Sequence, residues 1–131
     1  MGVKTLMKNG KKVVAVLSDL MFQVKIQEAA KQAGFEVAFV KSKDDAVAQA
    51  KKEPALIIVD LNNREGDPLE TISQLKSLDE TRDLYLLGFV SHVQADLIRA
   101  AKERGCDLVI ARSAFSRDLP ALLQKHQAGS S

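Results

Sequence analysis

Uninterrupted apolar runs alternate along the chain with longer stretches of helical period. Ala55-Leu-Ile-Ile-Val59 is apolar at every position and β-branched at Ile57, Ile58 and Val59. It is too short for a helix, and apolar side chains on both pleats mark a strand buried on both faces, as in a parallel sheet. Val13–Leu17, Phe35–Val40, Leu84–Val90 and Asp107–Ala111 read the same way. Between them the period changes. Phe22, Ile26, Ala29, Ala30 and Ala33 share one helical face, and Gly34 follows where a helix-ending glycine belongs. Ser42-Lys-Asp-Asp45 resembles a capping box opening a short helix with Ala46, Val47 and Ala50 inward, which Pro54 closes. Asp67 as N-cap, Pro68 at the first helical position and Glu70 at the third start another, with Leu69, Ile72 and Leu75 inward and Leu78 near its end. Ser91-His-Val-Gln94 reads as a second capping box, with Val93, Leu97, Ile98 and Ala101 inward until Gly105. Ser116 is expected to cap a last helix with Leu119, Leu122 and Leu123 inward, which puts Pro120 in its first turn.

The result is a βα unit repeated through the chain, which predicts an α/β fold with a parallel sheet. With helices on both faces, the flavodoxin-like doubly wound strand order 2-1-3-4-5 follows, a three-layer α/β/α arrangement. In that order strands one and three are neighbours at the switch point, so Asp19 and Asp60, which end them, meet at one spot. Ligands of open parallel sheets gather there, outside the carboxyl ends of the strands. Residues 1–12 carry Lys4, Lys8, Lys11 and Lys12 without an acid and read as a solvated lead-in. The domain is expected over 13–127, with 128–131 a loose tail.

Composition narrows the chemistry. A length of 131 residues fits one domain with a real core. Nineteen basic against 17 acidic residues give a net charge of +2, too balanced for a nucleic-acid or membrane footprint. A single cysteine, Cys106, excludes an internal disulfide framework and fits a reducing, cytoplasmic setting; it reads as a small core residue. No apolar run approaches the about 20 residues of a membrane span. No G-x-G-x-x-G follows the first strand, no Walker A sequence occurs, and Ser91-His92 is not part of a nucleophile elbow.

Two carboxylates with backbone carbonyls nearby suit a hard cation such as magnesium. An exposed Asp beside that cation can accept a phosphoryl group. Arg112 ends the fifth strand on the same rim and could contact a phosphate. The plainer alternative is that Asp19 only caps its helix and Asp60 is a solvated strand end.

From Lys12 to Gln127 the chain resembles a response-regulator receiver domain, the CheY-like module of two-component signalling. The resemblance is carried by Val16-Leu-Ser-Asp19, by Leu56-Ile-Ile-Val-Asp60 with Asn62 and Asp67, and by Ala100-Ala-Lys-Glu-Arg-Gly105. It implies Asp60 as phosphoacceptor, Asp19 as a magnesium ligand and Asn62 as the residue lending its backbone carbonyl to the metal. The departures are as informative. Ser18 stands where the family has a first acid, and Val90, with Ser91 one residue late, where it has Thr or Ser. Arg112-Ser113 replaces Lys-Pro, Arg64 and Pro68 replace the loop Pro and Gly, and Val109 takes the aromatic switch position. One fewer carboxylate weakens magnesium, and a missing hydroxyl removes the group that a phosphoryl would pull inward. Arg keeps a cation without the point-charge geometry of Lys.

The resemblance therefore implies an atypical, degenerate receiver that signals by protein–protein docking, with weak or absent phosphorylation of Asp60 and weak magnesium binding. It is not an enzyme beyond self-catalysed phosphoryl transfer. The partner expected is a histidine kinase or other signalling protein, not a nucleic acid or a membrane, and the chain a monomer or weak homodimer. His92, at the first helical position, and Val93, Ser113 and Phe115 border the face that receivers present to partners. Two alternatives stand beside this reading. One is a conventional phosphorylatable receiver in which Ser91 takes the hydroxyl role; the other is a flavodoxin-like ligand-binding module or enzyme using the same crevice.

Overall fold

Alternation within the strands sorts the side chains into two cores. The computed structural model describes residues 9–92 and 94–126. Along β1 (Asn9–Val16) and the residue after it, Val13, Ala15 and Leu17 point to one face of the sheet and Val14 and Val16 to the other. The first face is covered by α1 (Leu20–Ala33) and α5 (Arg112–Gln124), through Phe22, Ile26 and Ala30 on one and Phe115, Leu119 and Leu123 on the other. The second is covered by α2 (Lys43–Ala50), α3 (Pro68–Ser77) and α4 (Ala95–Glu103). Burial of each large apolar side chain contributes about 1.5–3 kcal/mol. Two such cores outweigh the surface ion pairs, at about 1 kcal/mol or less each.

Between these layers lies a five-stranded parallel sheet, with β2 (Glu36–Val40), β3 (Pro54–Asp60), β4 (Leu86–Val90) and β5 (Leu108–Ala111) in the order β2-β1-β3-β4-β5. This is the architecture that the pattern predicts. Register sets the switch point: Val16 pairs with Val40 on one side and Val59 on the other. The residues that follow β1 therefore emerge beside Asp60, the last residue of β3. Pro54 opens β3, where its missing N–H costs nothing. Gly34 ends α1 at φ +83°, a left-handed cap that donates its N–H back to the helix. Cys106 is buried among the strands, and burial pushes its thiol up to about 11, in keeping with an inert core residue.

Several boundaries differ from expectation. β1 begins at Asn9, ahead of Val13, and its pairing with β3 has an irregularity between Asn9 and Val13. Residues 9–12, assigned to the lead-in, thus belong to the sheet; the rest of the lead-in and the tail at 128–131 lie outside the described residues. The last helix starts at Arg112 directly from β5, with Ala111 as N-cap, so Ser116 is not its cap and Pro120 sits inside the helix. The spacing Phe115, Leu119, Leu123 is the stripe that requires the earlier start. α4 begins at Ala95 with Gln94 as N-cap and no side-chain cap bond. Ser91 and His92 lie in the preceding connection, so Ser91 is not a cap and His92 not the first helical residue. Asp67 is the residue before α3 as expected, but in a left-handed conformation (φ +44°) without a cap bond. Among the described residues, no helix is long and apolar enough to cross a membrane.

Candidate functional site

The carboxyl rim of β1, β3 and β5 gathers the polar side chains. Asp60 is buried at the end of β3 and its Oδ1 accepts from the Asn62 N–H at 2.9 Å. Burial holds its carboxyl above the usual carboxylate range. The Asn62 N–H and the Arg112 guanidinium oppose that rise, and nearby Asp19 adds to it. Asp19 uses both oxygens: Oδ1 accepts from the Phe22 N–H at 3.1 Å as the cap of α1, and Oδ2 takes Arg112 Nη2 at 3.0 Å. The guanidinium lies over the Phe22 ring, 4.7 Å from its centroid. Phe22 in turn packs on Phe89 and Phe115 at 5.0 and 5.6 Å between centroids, which fixes the platform under Arg112. The buried Nε of Arg112 has no hydrogen-bond partner.

Ser18, the residue at the first acid position, faces the β3–α3 connection. Its hydroxyl lies 3.0 Å from Asn63 Oδ1 and within hydrogen-bond reach of Glu65 Oε1, and its single proton serves one acceptor at a time. Asn63 is buried and its amide also donates to the Lys41 carbonyl at 3.4 Å. Gly66 makes this possible: a Cβ there would stand 2.6 Å from the Lys41 carbonyl oxygen and 2.8 Å from Asn63 Nδ2. Asn62 binds the β4–α4 connection instead, accepting from the Ser91 N–H at 2.7 Å and donating to Gln94 Oε1 at 2.9 Å. Leu61, Asn62, Asn63, Arg64 and Pro68 line a shallow cleft of about 210 Å³ beside it.

The sequence-predicted residues thus divide. Asp19, Asp60, Arg112, Asn62 and Ser18 share the rim. Val90 is fully buried and Ser91 exposed, its backbone tied to Asn62. His92 and Ser113 are exposed, Val93 lies outside the described residues, and Phe115 is fully buried. Phe115 therefore supports the core rather than a partner face. Glu65, Asn63 and Gln94 were missed as site residues. Asn63 and Gln94 stand in visible loop and cap motifs, but nothing local marks Glu65, whose contact with Ser18 spans 47 positions.

Two carboxylates, Asp19 and Asp60, stand at the rim, and among the described residues no group of three or more His, Cys, Asp or Glu side chains is placed to hold a divalent cation. Asp19 already carries Arg112. Among the described residues, the large apolar side chains that stand exposed are Leu20, Met21 and Val24, at 70%, 84% and 61%, all on α1.

No family model matches the chain, and no curated protein matches it. Solved structures do. The signal receiver domain of a signal transduction histidine kinase from Syntrophus aciditrophicus matches with a TM-score of 0.78 and 18% identity, over 91% of each chain. The chemotaxis response regulator CheY4 of Vibrio cholerae matches with a TM-score of 0.76 and 20% identity, over 87% of this chain and 96% of that one. A Burkholderia pseudomallei response regulator, with a phosphorylated aspartic acid and a calcium ion, matches at 0.73 and 23%, over 87% of this chain and 66% of its own. The chain has the fold of the CheY-like response-regulator receiver domains, as its residues led us to expect.

Proposed function

We propose that this chain is an atypical receiver module of two-component signalling that acts by docking to a signalling protein, with weak or absent phosphorylation of Asp60. The observation that carries the reading is the Arg112–Asp19 ion pair at 3.0 Å. A tethered guanidinium holds the carboxylate that a magnesium ion would need, so the metal binds only in competition with it. Ser18 contributes a hydroxyl where a second acid would strengthen that metal, and Val90 offers no hydroxyl to a phosphoryl group. Any phosphoryl transfer is slow and self-catalysed. Docking is supported by the apolar side chains of Leu20, Met21 and Val24, which a protein partner such as a histidine kinase would cover.

The test is an amide NMR titration with magnesium and then beryllofluoride, on the wild type and on Asp60→Ala. Absence of response at millimolar magnesium around Asp19, Asp60 and Ser91 is the expected result. Shifts there that vanish in Asp60→Ala would make the chain a conventional phosphorylatable receiver and end the docking-only reading.

A further inference from the structure

Asn62 joins two parts of the rim that no other side-chain hydrogen bond among the described residues connects. Its backbone N–H is held by Asp60 Oδ1 at 2.9 Å, an Asp side chain bonding the backbone two residues on. Its planar side-chain amide faces away, accepting from the Ser91 N–H at 2.7 Å and donating to Gln94 Oε1 at 2.9 Å. Gln94 is the N-cap residue of α4, and its carbonyl accepts the first helical bond from the Ile98 N–H at 2.9 Å. Its side chain makes no cap bond and is engaged by Asn62 instead. One rigid amide thus connects the turn set by Asp60 to the residue that sets where α4 starts.

We propose that Asn62 is a positioning residue that transmits the state of the Asp60 side chain to the N-terminus of α4. Loss or modification of the Asp60 acceptor frees the Asn62 N–H, rotates the turn and displaces both amide contacts together. The consequence is a shift of Gln94 and a loosened first turn of α4. This route needs no hydroxyl at position 90 and no metal, and it operates whether or not Asp60 accepts a phosphoryl group. Its failure is therefore separable from that of the docking reading.

The experiment is a double-mutant cycle on the full chain, read by amide shifts and hydrogen exchange at Ser91, Gln94 and Ile98. Asp60→Ala in the wild type is expected to shift all three signals and speed exchange at Ile98 about fivefold, the size of one hydrogen bond's net contribution. In an Asn62→Ala background the same substitution is expected to leave Gln94 and Ile98 unmoved. Asn62→Asp keeps the acceptor for Ser91 and loses the donor to Gln94, so it should retain the Ser91 response and lose that of Ile98; it also serves if Asn62→Ala does not fold. An Ile98 response of equal size with and without Asn62, or none in Asp60→Ala alone, would overturn the proposal.

Discussion

The two ends of the sheet each hold a cation–carboxylate pair, and the pairs differ in how far the cation is satisfied. At the amino end, Lys76 Nζ lies 3.2 Å from Asp107 Oδ2 and also donates to the carbonyls of Arg82 and Leu84 at 3.1 and 2.9 Å. Three donors meet three acceptors, and the same Asp107 oxygen accepts from the Leu86 N–H at 2.8 Å. At the carboxyl rim, Arg112 meets Asp19 alone in an ion pair and keeps a buried Nε without a partner. The pair distances are similar and the two carboxylates equally exposed, so distance does not distinguish them. Saturation does. The Lys76 pair closes a structure, whereas the Arg112 pair leaves capacity for exchange.

The largest expected effect follows directly. Lys76→Met leaves two carbonyls without their donor and Asp107 with the Leu86 N–H alone, and should cost about 2 kcal/mol, lowering Tm by about 6 °C. Arg112→Met keeps the packing on Phe22 and should cost less than about 1 kcal/mol. Equal losses in urea melts would show that both pairs are structural. Next in size is a gain at the rim. Ser18→Asp with Arg112→Lys adds a carboxylate and frees Asp19, and magnesium should bind about tenfold tighter in an NMR titration, since ligand charge tunes affinity. No gain would mean that the ion pair is not what weakens the metal.

The two aspartates sharpen the same contrast. Asp107→Asn weakens a saturated pair and should cost about 1 kcal/mol. Asp60→Asn should instead raise Tm at neutral pH. Burial raises the folded pKa of Asp60 above its ordinary 3.8, so the folded chain holds that proton more tightly than the unfolded one. The penalty is absent below 3.8 and grows as pH rises through the folded value, so the gain from Asn should vanish in acid. A fall in Tm at neutral pH would contradict it. The smallest effect concerns His126, whose ring lies 4.5 Å from that of Tyr85 and whose pKa is lowered from 6.5, first by burial and then by Lys125. Its stabilising contribution is complete above 6.5 and is lost as pH falls through that value and past the depressed folded one. His126→Phe should remove this slope from Tm measured between neutral and mildly acid pH.

How much of this was legible follows from the range of the interactions. Five strands are written in local apolar runs, their order follows from the doubly wound topology, and the meeting of Asp19 with Asp60 follows from that order. The early start of α5 was legible too, in the i, i+4, i+8 spacing of Phe115, Leu119 and Leu123, but the Ser116 cap signal obscured it. Ser116 instead accepts a hydrogen bond from Lys25 Nζ at 2.9 Å. The Ser91 capping box failed because a residue 29 positions away, Asn62, takes the Ser91 N–H. Glu65 on Ser18 and Arg112 on Asp19 are likewise long-range pairings of polar groups, and no local period encodes them.

The strand order also has a temporal reading. β1 lies between β2 and β3, and all three are complete by Asp60. Synthesis from the amino end therefore completes the sequence of these three strands before that of β4, and β4 and β5 extend the sheet at one edge. Pairings at short sequence separation close early and those at longer separation follow. The strands that frame the switch point precede β4 and β5 in the chain, and the cation beside it, on Arg112, follows both.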